Sequence, residues 1–172
     1  MVDKFESPPH SKLVASLAES LQPSLYLELG IQEGYTFNLV SRHANRSVGV
    51  DQTKRLYGGE VYVESTDSFF AAERLQKSSV DLVFIDADHS YAAVASDFAN
   101  ALKLLVPGGC ILLHDTDPRE KGLMVNHRCG DAYRFAHQLE SNPNFNVVTL
   151  PVAEAGLSLV TRVEDSRVHR LL

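Results

Sequence analysis

Leu25-Tyr26-Leu27-Glu28-Leu29-Gly30-Ile31-Gln32-Glu33-Gly34-Tyr35-Thr36 decides the fold: a short apolar run, a glycine turn, then the start of a helical pattern. The same order recurs along the chain. Strands are predicted over Leu25–Leu29, Ser47–Asp51, Val61–Glu64, Val80–Asp86 and Gly109–His114, each short and bounded by turn residues. Helices are predicted over Ser11–Leu21, Tyr35–His43, Ser68–Lys77 and Tyr91–Leu105. The last carries Ala92, Ala95, Phe98, Ala99, Leu102 and Leu105 on one face and should stop at Val106-Pro107-Gly108-Gly109. Strands alternating with helices imply right-handed βαβ units and a parallel sheet covered on both faces. The end of the chain departs from this. After a helix at about Asp131–Ser141 come Phe145–Leu150 and Leu157–Arg162, and the connection between them is too short for anything but an antiparallel pair. The expected fold is α/β, one domain over residues 1–172, with a mostly parallel sheet and a C-terminal antiparallel hairpin.

Composition narrows the function classes. The 172 residues are 44% hydrophobic and 22% charged, ordinary globular usage. Sixteen Lys and Arg against 22 Asp and Glu give a net charge of -6, which disfavours a nucleic-acid groove or an anionic membrane surface. No apolar run approaches the ~18 residues that span a bilayer. Asp3, Lys4 and Glu6 stand where the apolar core of a secretory leader would begin, and Cys110 and Cys129 are the only cysteines. A reduced, cytoplasmic protein is expected.

The glycine turn has a chemical signature. A dinucleotide fingerprint would place glycine at position 28, where backbone approaches a pyrophosphate. Glu28 stands there instead; its carboxylate repels phosphate and attracts a cation. S-adenosylmethionine has no phosphate but carries an ammonium and a sulfonium. Gly30 allows the tight turn, Gly34 opens the helix start, and Tyr35 and Thr36 offer first-turn donors to a carboxylate. An ordinary βα turn with a capping role reads the same way. Asp51 closes the second strand about 20 residues later, a place suited to ribose hydroxyls. Asp67 and Ser68, after the third strand, either reach an adenine amine or cap the next helix.

Val80-Asp81-Leu82-Val83-Phe84-Ile85-Asp86-Ala87-Asp88-His89-Ser90-Tyr91 carries the second cluster. Asp86 and His89 flank a strand-to-helix turn and can face one cleft, Asp86 on the cofactor side as well as beside the reaction. The fifth strand ends in His114-Asp115-Thr116. Asp86 and Asp115, with His114, are placed to share a divalent cation. His89 would accept a proton beside it, unless it is a solvated first-turn residue. Asp88 and Ser90 read as helix caps.

These segments, together with Pro107-Gly108-Gly109, resemble class I S-adenosylmethionine-dependent methyltransferases. More narrowly, they resemble the metal-dependent O-methyltransferases of the catechol and caffeoyl-CoA type and their antibiotic- and sugar-tailoring relatives. The resemblance implies a Rossmann-like fold and methyl transfer to a hydroxyl of a small acceptor. It matches the cofactor carboxylate and glycines to Glu28, Gly30 and Gly34, and the ribose acid to Asp51. The first metal ligand falls on Asp86, the general base on His89, and the paired ligands on His114 and Asp115. His114 departs from the family's acidic residue. Mg²⁺ prefers oxygen ligands, whereas imidazole suits Mn²⁺, Fe²⁺ or Zn²⁺, so either the metal differs, or His114 turns away, or metal dependence is lost.

The acceptor is left open by the sequence. The loop Asp117–Gly130, with Arg119, Lys121, His127 and Arg128, suits either an anionic acceptor or plain solvation. So small a chain would borrow a cleft wall from another subunit, and a homo-oligomer is expected. Two other classes stand beside the enzyme: a non-catalytic protein that binds S-adenosylmethionine or S-adenosylhomocysteine, and a nicotinamide oxidoreductase, the latter disfavoured by Glu28.

Overall fold

The computed structural model describes residues 7–53, 58–125 and 127–165. Its elements in chain order are α1 (Pro9–Leu21), β1 (Leu25–Leu29), α2 (Tyr35–Val40), β2 (Arg46–Asp51), β3 (Glu60–Val63) and α3 (Thr66–Ala71). Then follow β4 (Val80–Ile85), α4 (Tyr91–Leu104), β5 (Leu105–His114), α5 (Ala132–Glu140), β6 (Phe145–Leu150) and β7 (Leu157–Arg162). The seven strands form one sheet in the order β3-β2-β1-β4-β5-β7-β6. The first five are parallel, and β7 runs antiparallel to both β5 and β6. The expected α/β fold with its closing hairpin is the observed one. No helix among the described residues is long and apolar enough to cross a membrane.

Period-two alternation in the strands builds two cores. Leu25, Leu27 and Leu29 of β1 pack on one face with Phe69 of α3, Val94, Phe98 and Ala101 of α4, and Phe135 and Leu139 of α5. Tyr26 of the same strand turns to the other face, with Val14 and Ala18 of α1 and Phe37 and Val40 of α2. Glu28 shares that second face, two residues on from Tyr26. Phe98 ties the first layer together, meeting Phe135 and Phe145 edge-on at centroid distances of 5.3 and 5.4 Å. Cys110 is a buried core residue, and both cysteines are free.

Element ends differ from the sequence expectation for local reasons. The predicted helix Ser68–Lys77 runs instead over Thr66–Ala71. Ser65 is its cap, its hydroxyl accepting the Ser68 N–H at 3.2 Å, so Asp67 lies inside the first turn rather than at the cap. Glu73, with φ 48°, then carries the chain out of the helix. The second helix stops at Val40 rather than His43. Residues 106–109 are not a break between elements. β5 begins directly after α4, and its register against β4 shifts between the Val80–Leu105 and Leu82–Cys110 pairs, a bulge that absorbs Pro107 and the two glycines. Ser90 caps α4 as expected, accepting the Ala93 N–H.

Asp97 is a buried acid on α4, only 2% exposed. Burial pushes its carboxyl up to about 6, against a hydrogen bond with the Thr66 side chain that favours ionisation. A raised acid pKa favours the native state below the unfolded value and loses that advantage as pH rises through the folded value. Asp97→Asn should therefore match the wild type near pH 4 and become more stable than it by about 3 kcal/mol above pH 7. Urea denaturation at the two pH values measures the difference.

Candidate functional site

The carboxyl ends of the parallel strands meet at the glycine turn. Gly30 takes φ 84°, and its N–H donates to the Val50 carbonyl of β2 at 2.9 Å. The Asp86 N–H, leaving β4, donates to the Leu29 carbonyl at 2.8 Å. The approach is so close that a Cβ at Gly30 would lie 2.1 Å from the Asp86 carbonyl oxygen. Asp51 fastens the turn from the other side: one carboxylate oxygen accepts the N–H groups of Ile31 and Gln32 at 2.8 and 2.9 Å. Its second oxygen accepts from Thr53 N–H at 2.7 Å.

Glu28 is buried under α1 and α2 yet reaches a cavity. Tyr26 Oη donates to Glu28 Oε2 at 2.5 Å, and the Phe37 backbone also donates to its side chain. Burial raises the Glu28 carboxyl well above the usual range despite these two donors. Gly34, at φ 78°, precedes α2 and leads the chain into the helix. Tyr35 lines the cavity and is partly exposed. The Thr36 hydroxyl pairs with Ser11 Oγ of α1 at 2.7 Å, buried, and ties the two helices together.

Asp86, His114 and Asp115 converge where β4 and β5 end. Each offers one ligand atom, and these atoms lie within 4.8 Å of one another. Asp115 reaches this place through a left-handed backbone (φ 61°) that turns the chain as β5 ends. His114 Nδ1 is 3.0 Å from Asp86 Oδ1 and 3.4 Å from Asp115 Oδ1. His114 Nε2 is buried with no hydrogen-bond partner, and an orphaned ring nitrogen beside two carboxylates suits a divalent cation. His89 Nδ1 is hydrogen-bonded to the Arg128 carbonyl and lies 3.1 Å from Asp115 Oδ2. His89 Nε2, also buried, lies 3.5 Å from Asp86 Oδ1.

Electrostatics follow from this crowding. Burial opposes charging His89 and His114, but the carboxylates of Asp86 and Asp115 outweigh it and raise the two imidazoles to about 9 and about 10. Burial pushes Asp86 up as well, and the two imidazoles overcome it, leaving the carboxyl well below its ordinary value. His10, on α1, goes the other way: burial and the neighbouring His114 lower it to about 4. The Cys129 thiol is raised by burial and by Asp115, its hydrogen-bond partner.

Two cavities meet at this turn, both lined in part by Gln32 and Asp86. The larger, about 380 Å³, is lined by Glu28, Gly34, Tyr35, Thr36, His89, His114 and Asp115. The smaller, about 270 Å³, is lined by Gly30, Asp51, Glu64, Thr66 and Asp88. The sequence-predicted residues thus gather at one edge, with one exception. Asp67 and Ser68 stand on the first turn of α3, and Thr66 and Glu64 face the cavity in their place. Of the loop's basic residues only Arg128 lines the larger cavity; Arg119 instead donates to the Pro151 carbonyl at 2.6 Å. Sequence reasoning missed His10, Ser11 and Cys129, which also line it. A histidine opening an amphipathic helix carries no local signal, because only the packing of α1 brings it to the strand ends.

Comparison with known proteins agrees with this architecture. A family model described as a methyltransferase domain matches residues 27–116. The uncharacterized protein y4gI of Sinorhizobium fredii is 42% identical over 55 residues, 32% of this chain. That match spans 6% of the relative's length. Among solved structures, cofactor-bound Rv0187 from MTB superposes with a TM-score of 0.75 at 19% identity, covering 93% of this chain and 83% of that one. An O-methyltransferase from Bacillus cereus in complex with SAH gives 0.71 at 21% identity, covering 91% and 82%. The O-methyltransferase TomG from Streptomyces achromogenes, in complex with SAM, gives 0.69 at 20% identity, covering 94% and 83%. At these identities the superpositions speak to the fold.

Gly30→Ala places a methyl group against the Asp86 carbonyl in a backbone conformation that alanine resists. It should lower the unfolding free energy by about 3 kcal/mol or more, read from the urea midpoint.

Proposed function

Because this chain belongs to the methyltransferase-domain family, we propose that it is a class I S-adenosylmethionine methyltransferase that methylates a hydroxyl of a small acceptor with the help of a divalent cation. The observation that carries the reading is the position of the Asp86–His114–Asp115 cluster, in the same cavity as Glu28 and the start of α2.

The chain's own groups divide the work. Glu28 provides a buried acid for the ammonium of the methyl donor, whose arrival would restore its ionised form. The N-terminal N–H groups of α2, opened by Gly34, suit the donor's carboxylate, and Asp51 stands at the ribose side. Thr66 and Glu64 take the adenine end. S-adenosylmethionine supplies an electrophilic methyl group on a sulfonium. A cation held by Asp86, His114 and Asp115 would lower the pKa of an acceptor hydroxyl and orient it. The ligand set has one nitrogen and two carboxylates, which favours Mn²⁺, Fe²⁺ or Zn²⁺ over Mg²⁺. The hydroxyl's proton passes to an imidazole beside the cluster, and the cavity walls hold the two reactants aligned.

Thermal unfolding with S-adenosylhomocysteine tests the cofactor class. At ~100 times its dissociation constant the ligand should add about 2.7 kcal/mol of apparent stability, a rise of several degrees. No shift would remove the methyltransferase reading and leave a binding module of unknown ligand. Asp86→Asn and Asp115→Asn should lower bound metal, measured by elemental analysis after dialysis, and cut methyl transfer by ~10²-fold or more. A protein that binds the nucleoside but transfers no methyl to any hydroxyl compound would be the non-catalytic binder instead. Glu28→Gln keeps the size of the side chain but loses the charge. Its affinity for S-adenosylhomocysteine should fall at least ~10-fold by calorimetry, with the melting temperature little changed.

A further inference from the structure

The two outer strands of the sheet are unlike. β3, at one edge, has four residues and charge around it: Glu60 pairs with Arg46 at 2.7 Å, and Glu64, just beyond the strand, with Arg74 at 3.3 Å. Charged side chains on a short edge keep another strand from adding there. β6, at the other edge, has six residues and no charge. The uncharged stretch covers residues 141–153. The register of β6 against β7 is continuous, with no bulge to twist the edge away.

Exposure alternates along β6. Phe145 and Val147 pack against the core under α4 and α5, while Val148 and Leu150 stand on the other face, 53% and 36% exposed. Glu140 of α5 accepts the Thr149 hydroxyl at 2.8 Å, on the face away from Val148.

The backbone of β6 has an open side. The Val163 N–H donates to the Asn144 carbonyl at 2.9 Å, one step beyond the Phe145–Arg162 pair. Antiparallel partners alternate between bonded and unbonded pairs, so Asn146, Val148 and Leu150 bond to β7 while Phe145, Val147 and Thr149 turn their N–H and C=O groups outward. The Phe145 N–H is taken by the Asn142 carbonyl at 3.1 Å. The backbone groups of Val147 and Thr149 have no partner among the described residues. Another β6, running antiparallel about a twofold axis, satisfies them all in one register. With Val148 opposite Val148, Val147 exchanges both bonds with Thr149 of the second copy, and Thr149 with Val147 of that copy. An axis through Val147 would aim the Thr149 carbonyl at a Phe145 N–H already in use. An axis through Thr149 would aim the Val147 carbonyl at Pro151, which has no N–H.

We propose that two copies of this chain join through β6, edge to edge and antiparallel, with Val148 of one opposite Val148 of the other, so that their seven-stranded sheets continue as one. Each chain has a net charge of -6, but the joined edge adds no like-charge contact because β6 carries none. The axis falls on an unbonded pair, where Cα atoms approach to about 4.5 Å and side chains meet most closely. There the most exposed apolar side chain of the strand packs against its own copy, and Leu150 lies across from Asn146 of the second chain. Residue 144 of the second copy falls opposite Val152, beside the connection 151–156 that carries Glu154 and Ala155 to the larger cavity. The interface stands apart from the methyl-transfer reading, since it uses only the strand and its backbone.

Light scattering during gel filtration of the full chain at micromolar concentration should give twice the chain mass. Val148→Lys, which puts a charge on an exposed edge position, should give the single-chain mass with an unchanged circular dichroism spectrum. Val148→Cys should form an intermolecular disulfide on mild oxidation, because an unbonded antiparallel pair lies within disulfide range. Asn146→Cys and Leu150→Cys should not, since each faces a different residue of the second copy. Cys110 and Cys129 are buried and do not compete. The disulfide pattern decides the register even where Val148→Lys fails to fold. A wild type that is monomeric at every concentration, a Val148→Lys chain that stays dimeric, or the absence of the Val148→Cys disulfide overturns the assignment. So does a disulfide in the Asn146→Cys or Leu150→Cys chain as readily as in Val148→Cys.

Discussion

The close approach of Gly30 to the first residue after β4 is the constraint on which this site depends. A side chain at position 30 would collide with the Asp86 carbonyl, so the glycine lets β1 and β4 end side by side with the turn folded between them. Backbone bonds fix it from both neighbours, Gly30 N–H to Val50 and Asp86 N–H to Leu29. Asp51 completes the clamp by accepting from the two residues after the glycine. The same few ångströms therefore set the heights of Glu28, Asp51 and Asp86 relative to one another. An acid at the end of β2 acts first on the protein's own backbone, and any ligand at that edge meets a carboxylate that is already oriented.

The second organising feature is local charge balance. Asp86 and Asp115 face His89 and His114 in a space largely closed to water, where the neighbouring carboxylates favour the charged imidazoles and the imidazoles favour the ionised Asp86. Unpaired ions there would cost several kcal/mol each. The cluster nonetheless keeps two buried ring nitrogens, His89 Nε2 and His114 Nε2, without a hydrogen-bond partner. Glu28, one strand away, has no cation beside it among the described residues, and burial drives its carboxyl upward. The two ends of the cavity differ for that reason: one is a compensated ionic cluster, the other a buried acid suited to an arriving positive charge.

The fold and much of this edge were legible in the chain. Leu25–Leu29 and Val80–Ile85 are short apolar runs beside turn residues, and their chemistry-bearing neighbours Glu28, Gly30, Asp86 and His89 follow within a few positions. In a parallel sheet such residues land at the carboxyl ends of the strands, so reading strand ends locates the site. The short connection before Leu157 required an antiparallel hairpin, and the sheet has one. Helix limits were less legible. Ser65 rather than Asp67 caps α3 because the cap depends on which hydroxyl meets the Ser68 N–H, a matter of backbone angles. The bulge at residues 106–109 depends on how β5 matches β4, which no single strand encodes.

By itself, then, the sequence determined the alternation of elements, the glycine turn and the acids that close β1, β2, β4 and β5, because covalent neighbourhood and side-chain periodicity act within a few residues. Only the tertiary structure decided that Ser11 bonds to Thr36 across α1 and α2, that His10 reaches the ring of His114, and that the Arg128 carbonyl occupies His89. Those contacts join residues 25 to 104 positions apart. They exist because two helices pack on one face of the sheet and a loop folds over its edge, and their geometry is set by that packing rather than by any local preference.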